Sequence, residues 1–487
     1  MVSRGAGTHG QVRAATRSRT QEAACMLIAV AIGCRQPATT PPTMDTDAQS
    51  RPVVLSIEVA GDEEIAEGLR LLSGEWKARS GGEMRVASTS LETFLAADRL
   101  MADLVVFPSR LLGALVERGD LRPMRSSVLE SEQLAIHDVY PAIRNGEMRY
   151  AGQAFALPLG SPPLLTCMDS RLAGAASDEL PTTRTWQSLG ALRSGAPYAA
   201  GVATPRRGRA GAIALIARAL SYTEPPRRAE ALFNADTFAP GITQPPFVRA
   251  LREIAEESPA TAAEPTGDFT AAANLVRTGK AAAALAWPSL MKGSDGAAQP
   301  ASLAWAQLPA AGETYSRNQT RWEVASSPRN LVLLGVEGRL IGVTTETRNA
   351  VSAFTLAQWL ATGDIAVQLS SRSRGTLWFR KSQAGAVAKW MSANGAPSSD
   401  ELTSAAAAAN EALNSDSVVL IPRLLGIDEY LDKLGSAVAS AAPSEEAATA
   451  ELAAAAQAWE AITDRLGRDR QARAYRRHLN LIELQGR

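Results

Sequence analysis

The sequence contains few of the residues on which most enzyme chemistry depends. Of its 487 residues, three are histidine and three are cysteine, and aromatic residues make up 5%. His137 and His478 are isolated, with no metal-ligand spacing around either. A nucleophile elbow, a phosphate-binding loop and the glycine spacing of a dinucleotide-binding fold are all missing from the sequence. We therefore expect no metal site, no cofactor and no catalytic triad, whereas a pair of carboxylates for glycoside hydrolysis stays open because such pairs form in space.

The charge balance argues against a nucleic-acid partner. The full chain has 50 basic and 50 acidic residues, and residues 1–33 hold four arginines and one glutamate, so the remainder has a formal net charge of −3. Nucleic-acid binding favours a strongly basic face. Beyond the N-terminal segment, no apolar run reaches the roughly 20 residues that a membrane-spanning helix needs.

The first 33 residues have the pattern of an export signal. Four arginines precede an apolar run, Ala23 to Val30, which continues through Ala31-Ile32-Gly33 and ends at Cys34. About eleven apolar residues are too few to span a bilayer and match the central region of a signal peptide. The arrangement resembles a bacterial lipoprotein signal, in which the cysteine is acylated and becomes the mature N-terminus. The alternatives are an ordinary secretory signal, or a core helix in which Cys34 has no special role.

These features predict the N-terminal organisation and the use of cysteine. We expect residues 1–33 to be a lipoprotein signal peptide, Cys34 to be the lipidation site and residues 34–51, which are polar and rich in proline, to be a flexible tether. Removal of Cys25 with the signal and acylation of Cys34 leave Cys167. An intramolecular disulfide is then impossible, and a chain of this length can bury enough core without one.

From residue 53 the hydrophobic pattern alternates between strand and helix. Val53 to Val59 is β-rich, and Ile65, Leu69, Leu72 and Trp76 recur on one face of a helix. A short apolar run from Ala102 to Ser109 suits a buried strand. Alternating strands and helices predict a mostly parallel sheet, whose carboxyl-terminal edge is the usual place for a ligand.

The C-terminal part is predicted to be helical. Ser444 is a good N-cap, and two glutamates follow in the first helical turn, where negative charge offsets the helix dipole. Apolar residues at heptad-like spacing form a stripe along this helix, namely Leu452, Ala455, Trp459, Ile462 and Leu466. We interpret the stripe as a face that packs on the body of the protein rather than as a coiled-coil partner site.

Six segments, in this order, resemble family 1 extracellular solute-binding proteins of ABC importers, the group that includes the maltose-binding proteins. Each segment is weakly specific alone, and the combination is specific. They are Ala102-Asp103-Leu104-Val105-Val106, Arg118-Gly119-Asp120-Leu121-Arg122-Pro123, Tyr150-Ala151-Gly152-Gln153-Ala154-Phe155-Ala156-Leu157-Pro158, Thr185-Trp186-Gln187-Ser188-Leu189, Gly279-Lys280-Ala281-Ala282, and Ala353-Phe354 through Leu360.

The resemblance implies an α/β fold of the type II periplasmic-binding-protein class, with two lobes, mixed sheets, crossing strands between the lobes and C-terminal helices. Lobe 1 is expected to comprise residues 52–160 and 327–375, and lobe 2 residues 161–326 and 376–487. The implied function is delivery of a small solute, a sugar or oligosaccharide, from the cleft to the permease subunits of an ABC importer. The expected protein is a monomer on the periplasmic side of the cell envelope, held to a membrane by its lipid.

Five residues are candidates for ligand binding. Trp287 follows an apolar strand, and Trp378 lies in a segment that the resemblance brings near the cleft; each has a core role as its alternative. Ser109 and Ser161 follow predicted strands, with capping of backbone groups as their alternative. Arg206, in the run Pro205-Arg206-Arg207-Gly208-Arg209, can hold an anionic group, with a solvated loop as its alternative.

Two other functional classes remain open from the sequence. One is an envelope hydrolase that acts on carbohydrates, and the other is a binding-protein homologue with a sensory or scaffold role and no transport. Fold-level resemblance does not separate these classes, because one fold supports many functions.

Overall fold

The computed structural model describes residues 52–174, 185–191, 198, 200–257, 267–291, 302–325, 329–391, 397–482 and 484. The predicted signal peptide, Cys34 and the tether lie outside these residues. The strands are β1 Val54–Ala60, β2 Glu83–Thr89, β3 Leu104–Pro108, β4 Arg149–Tyr150, β5 Gln153–Ala154, β6 Ala156–Gly160, β7 Leu165–Asp169, β8 Ala200–Ala203, β9 Ala281–Ala286, β10 Leu303–Ala306, β11 Glu313–Ser316, β12 Arg321–Val324, β13 Val332–Leu334, β14 Arg339–Val343 and β15 Val418–Leu420.

The helices follow the same order. They are α1 Glu63–Ser80, α2 Leu91–Ala96, α3 Leu112–Arg118, α4 Ser126–Leu129, α5 Ser170–Gly174, α6 Trp186–Ala191, α7 Gly208–Ser221, α8 Pro245–Glu257, α9 Phe269–Arg277, α10 Ala350–Leu360, α11 Gly363–Ser370, α12 Ala388–Met391, α13 Ser399–Asn414, α14 Ile427–Ser440, α15 Glu445–Leu466 and α16 Arg468–His478.

Two mixed sheets organise the fold. The first has the order β2-β1-β3-β14-β6, in which β1 pairs in parallel with β2 and β3, and β14 pairs antiparallel with β3 and β6. The second has the order β10-β7-β9-β8, in which only the β8–β9 pairing is parallel. The prediction of a mostly parallel sheet was therefore wrong in detail. β14, which comes from far along the chain, inserts between β3 and β6 and pairs antiparallel with both.

The chain passes from the first sheet to the second through residues 161–164, directly after β6. This crossing lies beside β13, since the Leu164 amide is 3.5 Å from the Leu333 carbonyl oxygen. β13 in turn pairs in parallel with β15. Residues near the predicted boundary at 375 continue to bond to the first half, as the Tyr140 amide donates to the Phe379 carbonyl. The lobe boundaries stay a prediction.

Local patterns set the helix ends. Asp62 caps α1 by accepting from the Ile65 amide, and Gly81 ends this helix in the left-handed conformation. The Ser444 side chain caps α15, as predicted, by accepting from the Ala447 amide. Leu452, Ala455, Trp459 and Ile462 of that helix are buried, which confirms that the stripe packs on the body.

The remaining cysteine, Cys167, is part of the core. Cys167 on β7 is buried and has a free thiol, and burial raises its pKa to about 12. In the residues that the structure describes, no single helix is long and apolar enough to cross a membrane. One bent pair, α10 with α11, passes that test jointly on length and composition, with a 74° bend between the two helices.

Candidate functional site

A cavity of about 310 Å³ lies between two halves of the fold. The first half is built around the sheet that contains β14, and the second half around the sheet that contains β9. The first half contributes residues around β14 and after α11, and the second contributes residues of α7, α9 and the turn after β9. The lining residues are Arg209, Ala210, Ile213, Asp268, Phe269, Thr270, Trp287, Leu290, Glu337, Arg339, Arg374 and Gly375. A site lined from both halves is suited to a solute that closes the two halves around itself.

Strand ends explain why these residues meet. Trp287 directly follows β9, and the arginine run follows β8, which is parallel to β9. On the other side, Arg339 begins β14 opposite Pro108, the last residue of the antiparallel strand β3. The cavity therefore lies at the carboxyl ends of strands from both sheets, which is where open α/β folds bind ligands.

Trp287 supplies an aromatic wall with an unused donor. Its side chain is 5% exposed, and its ring meets Phe269 edge to face with the ring centroids 4.6 Å apart. Its indole Nε1 is buried and has no hydrogen-bond partner among the described residues. Buried tryptophan N–H groups usually find an acceptor, so a ligand atom in the cavity is a natural partner.

Alternating arginines and carboxylates form an ionic chain beside the cavity. Arg339 Nε lies 2.7 Å from Asp62 Oδ2, and Arg339 also contacts Glu337 at 3.4 Å. Arg110 Nε lies 2.7 Å from Asp428 Oδ1. We name these five residues the ionic chain; its Arg110–Asp428 pair joins the end of β3 to α14, and so links the two halves.

A second contact crosses between the halves on the other side of the cavity. The Ser289 hydroxyl, two residues after Trp287, donates to the Arg374 carbonyl oxygen at 2.8 Å. Ser289 is buried. The walls of the cavity are thus held together both by charge and by a neutral hydrogen bond.

Ser109 and Ser161 meet through a buried glutamate that was not among the predicted residues. The Ser109 hydroxyl donates to Glu147 Oε1 at 3.1 Å, the Ser161 hydroxyl donates to Oε2, and the Gly335 amide donates to Oε1 at 2.9 Å. We call these four residues the hinge cluster, because Ser161 and Gly335 lie on the segments that connect the sheets. Burial raises the pKa of the Glu147 carboxyl, against these hydrogen bonds, which lower it.

The structure places Trp378 and Arg206 away from the cavity. Trp378 is fully buried, its Nε1 donates to Asn410 Oδ1 at 3.2 Å, and its ring packs on Trp390. Arg206 is also buried, so the solvated-loop alternative does not hold for it. Its guanidinium donates to the Val438 and Ala441 carbonyl oxygens at the end of α14, which fixes the loop just before α7, the helix that carries Arg209.

Other cavities lack this position in the fold. One of about 470 Å³ is formed by α8, the β11–β12 hairpin and the start of α15, all belonging to the second half. Another of about 340 Å³ is lined by residues 141–146, 415–420 and 478–480 with Ala229. Neither is lined by residues at the ends of strands of the two larger sheets. Within the described part of the chain, no group of three or more His, Cys, Asp or Glu side chains could hold a metal ion.

No protein-family model and no curated protein matches the sequence. Solved structures do match. A solute-binding protein from Agrobacterium radiobacter K84 in complex with ribitol has a TM-score of 0.59 at 19% identity, over 84% of this chain and 98% of its own. The chain has the fold of the ABC transporter solute-binding proteins.

Two further solute-binding folds agree with this result. One is from Agrobacterium vitis S4 with bound D-mannitol, with a TM-score of 0.59 at 14% identity over 85% of this chain and 99% of its own. The other is maltose-bound MalE3 of T. maritima, with a TM-score of 0.57 at 15% identity over 84% of this chain and 100% of its own. The two-lobed α/β fold implied by the sequence resemblance is thereby confirmed.

The sequence offered weak indications of several further residues at or beside the cavity. Asp62 lies two residues after the end of the first strand, and Arg374 precedes the glycine of the segment that contains Trp378. Arg209 belongs to the arginine run in which Arg206 was chosen. Glu147 and Asp428 had no comparable signal, because their partners lie far away in the chain.

Proposed function

We propose that this protein is an extracytoplasmic solute-binding component of an ABC importer, and that it binds a small sugar or polyol in the cavity between its two halves. The observation that carries the proposal is the 310 Å³ cavity at the strand ends, lined from both halves and containing Trp287. The neighbours in complex with ribitol, D-mannitol and maltose support the ligand class.

The cavity chemistry suits a polyhydroxylated ligand. Trp287 and Phe269 offer aromatic surface, which packs against the apolar face of a sugar ring. Charged groups of Arg339, Glu337 and Asp268 line the same space and can bond to hydroxyl groups. In the proposed cycle the ligand favours a closed arrangement of the halves, which then docks on a permease, and no bond is made or broken.

The proposal predicts stabilisation by sugars or polyols. In a thermal-shift screen of hexoses, pentitols, hexitols and disaccharides, at least one compound is expected to raise the melting temperature. Saturation at a ligand concentration of about 100 times Kd corresponds to about 2.7 kcal/mol of added stability. If no saccharide or polyol shifts the melting temperature and an amine does, the proposed ligand class is wrong.

Substitution of Trp287 tests whether the ligand binds in the cavity that this residue lines. Trp287→Ala is expected to abolish most of the ligand-induced shift, because it removes the aromatic wall. Trp322→Ala is the matched control, since Trp322 lies on β12 and does not line this cavity. An equal loss of the shift in both variants contradicts the assignment of the cavity.

We also propose that the protein is a lipoprotein, with residues 1–33 as signal peptide, Cys34 as acylation site and residues 34–51 as tether. A lipid anchor keeps a mobile binding protein near its membrane partner, and more than one acyl chain is needed for durable attachment.

Replacement of the anchoring cysteine tests this attachment. Cys34→Ser is expected to move the protein from the membrane fraction to the extracytoplasmic soluble fraction. Cys25→Ser, which changes the other cysteine of the leader, is expected to leave the protein on the membrane. Fractionation followed by immunoblotting measures both, and retention of Cys34→Ser on the membrane refutes lipidation at this site.

A further inference from the structure

The buried side-chain atoms of the described cavity lining that make no hydrogen bond are both donors. They are Trp287 Nε1 and Arg209 Nε, and Arg209 Nε keeps an ion-pair contact of 3.5 Å to Asp432. Both are donors, and an arginine or a tryptophan has no acceptor to offer in the side chain. A bound ligand that satisfies them must present acceptor oxygens on the side of the second half.

The arginines on the two walls are held loosely. Arg209 lies 3.4 Å from Asp428 and 3.5 Å from Asp432, and its side chain is one-third exposed. Arg374, on the opposite half, lies 3.9 Å from Glu64 and is about half exposed. These separations are longer than charge-assisted hydrogen bonds of about 2.7–2.9 Å, so both guanidinium groups keep donors for a ligand.

The carboxylates of the lining already have partners, although each keeps some acceptor capacity. Asp268 accepts from the Ala271 amide at 2.8 Å as the N-cap of α9. Glu337 contacts Arg339 at 3.4 Å and Arg110 at 4.0 Å. The lining residues include three arginines against these two carboxylates, so a ligand that carries negative charge and accepts hydrogen bonds complements the lining.

We infer that the solute bears a carboxylate, as in a uronic acid or another sugar acid, and that Arg209 and Arg374 bind this group from opposite halves. The inference rests on the proposed function and narrows its ligand class. A neutral sugar hydroxyl can also accept from Trp287, but it must then place its own hydrogen on an acceptor. A carboxylate accepts at both oxygens and gains charge-assisted bonds to guanidinium groups.

Matched pairs of ligands test the inference by calorimetry. The pairs are D-galacturonate with D-galactose, D-glucuronate with D-glucose, and digalacturonate with maltose. At least one acid is expected to bind about tenfold or more tightly than its neutral partner, with an affinity that falls as NaCl is raised. Glucose 6-phosphate is included, and a preference for it over every uronate overturns the carboxylate assignment.

Variants identify the groups responsible. Arg209→Gln and Arg374→Gln are each expected to lower the affinity for the acid about tenfold or more and to reduce its salt dependence. Trp287→Phe keeps a ring, removes the donor and is expected to lower affinity less. Arg207→Gln is the matched control, because Arg207 is exposed two residues before Arg209 and does not line the cavity; circular dichroism checks that each variant is folded.

The outcomes separate the inference from the proposed function. If neutral sugars bind as well as the acids and the arginine variants bind them normally, the carboxylate inference is overturned and the sugar-binding function stands. If no saccharide or polyol of either kind binds, the proposed function itself fails. Equal losses in Arg207→Gln and Arg209→Gln also overturn the inference, because a general charge effect then explains the result.

Discussion

Glu147→Ala is expected to destabilise the protein by about 3–5 kcal/mol. The Glu147 carboxylate accepts from the Ser109 hydroxyl, the Ser161 hydroxyl and the Gly335 amide, and the glutamate and both serines are buried. Alanine leaves these three donors without their acceptor, and each buried group left unsatisfied costs about 1–3 kcal/mol.

Loss of the Glu147 carboxyl also removes a negative charge that lies near the guanidinium of Arg423. Arg423 is buried, and the charge of Glu147 favours its protonated form, although burial lowers its pKa to about 10. Its guanidinium holds backbone carbonyl oxygens, among them that of Arg149. The effect of the substitution therefore extends from the crossing segments into the turn that carries residue 147.

Urea unfolding, followed by circular dichroism, measures the change in free energy of unfolding. Glu147→Gln is expected to lose less than Glu147→Ala, since an amide oxygen still accepts from one or two of the three donors. Glu132→Ala, at an exposed position, is the matched control and is expected to change stability by less than about 0.5 kcal/mol. A Glu147→Ala protein as stable as this control contradicts the structural role of the cluster.

Gly435→Ala is expected to destabilise the protein by about 3 kcal/mol or more. A Cβ atom at residue 435 comes within 2.0 Å of the Gly208 carbonyl oxygen and 2.5 Å of its carbonyl carbon. Gly435 lies on α14 and Gly208 begins α7. Because the obstacle is backbone, the overlap is relieved only if the two helices move apart.

This close approach also shapes the candidate site. Arg209, the residue after Gly208, contacts Asp428 on α14 at 3.4 Å. Separation of the helices is therefore expected to weaken ligand binding as well as stability, which calorimetry on the folded fraction measures.

Gly74→Ala is the matched control for Gly435→Ala. Gly74 is an exposed residue within α1, and an added Cβ there meets nothing within 4 Å. This variant is expected to gain about 0.5–1 kcal/mol, because alanine loses less backbone entropy in a helix. If Gly435→Ala shows a similar gain in free energy of unfolding, the result contradicts the close contact between α7 and α14.

Most of the local structure could be predicted from the sequence. The predicted strand from Val53 to Val59 is β1, Val54–Ala60, and the buried strand predicted within Ala102 to Ser109 is β3, Leu104–Pro108. The ends of these strands differ from the predicted ones by one or two residues. Periodicity and capping act over a few residues, so they report element type well and element ends less well.

Burial of individual side chains could not be predicted in the same way. Trp287 and Trp378 were both candidates for ligand binding, yet Trp287 lines the cavity and Trp378 bonds to Asn410 in the core. Arg206 and Arg209 lie in one run, yet Arg206 is buried against the end of α14 and Arg209 lines the cavity. The difference depends on which distant helix packs over each residue.

The sequence by itself determined the alternation of strands and helices, the capped C-terminal helix, and the resemblance that implied a two-lobed fold. These depend on short-range spacing and on an ordered set of local segments. Only the tertiary structure decided that Glu147 joins Ser109 to Ser161, that Asp428 reaches Arg110, and that β14 inserts between β3 and β6. Such contacts join residues that are far apart in the chain, and their energy comes from burial and charge pairing that exist only once the chain has folded.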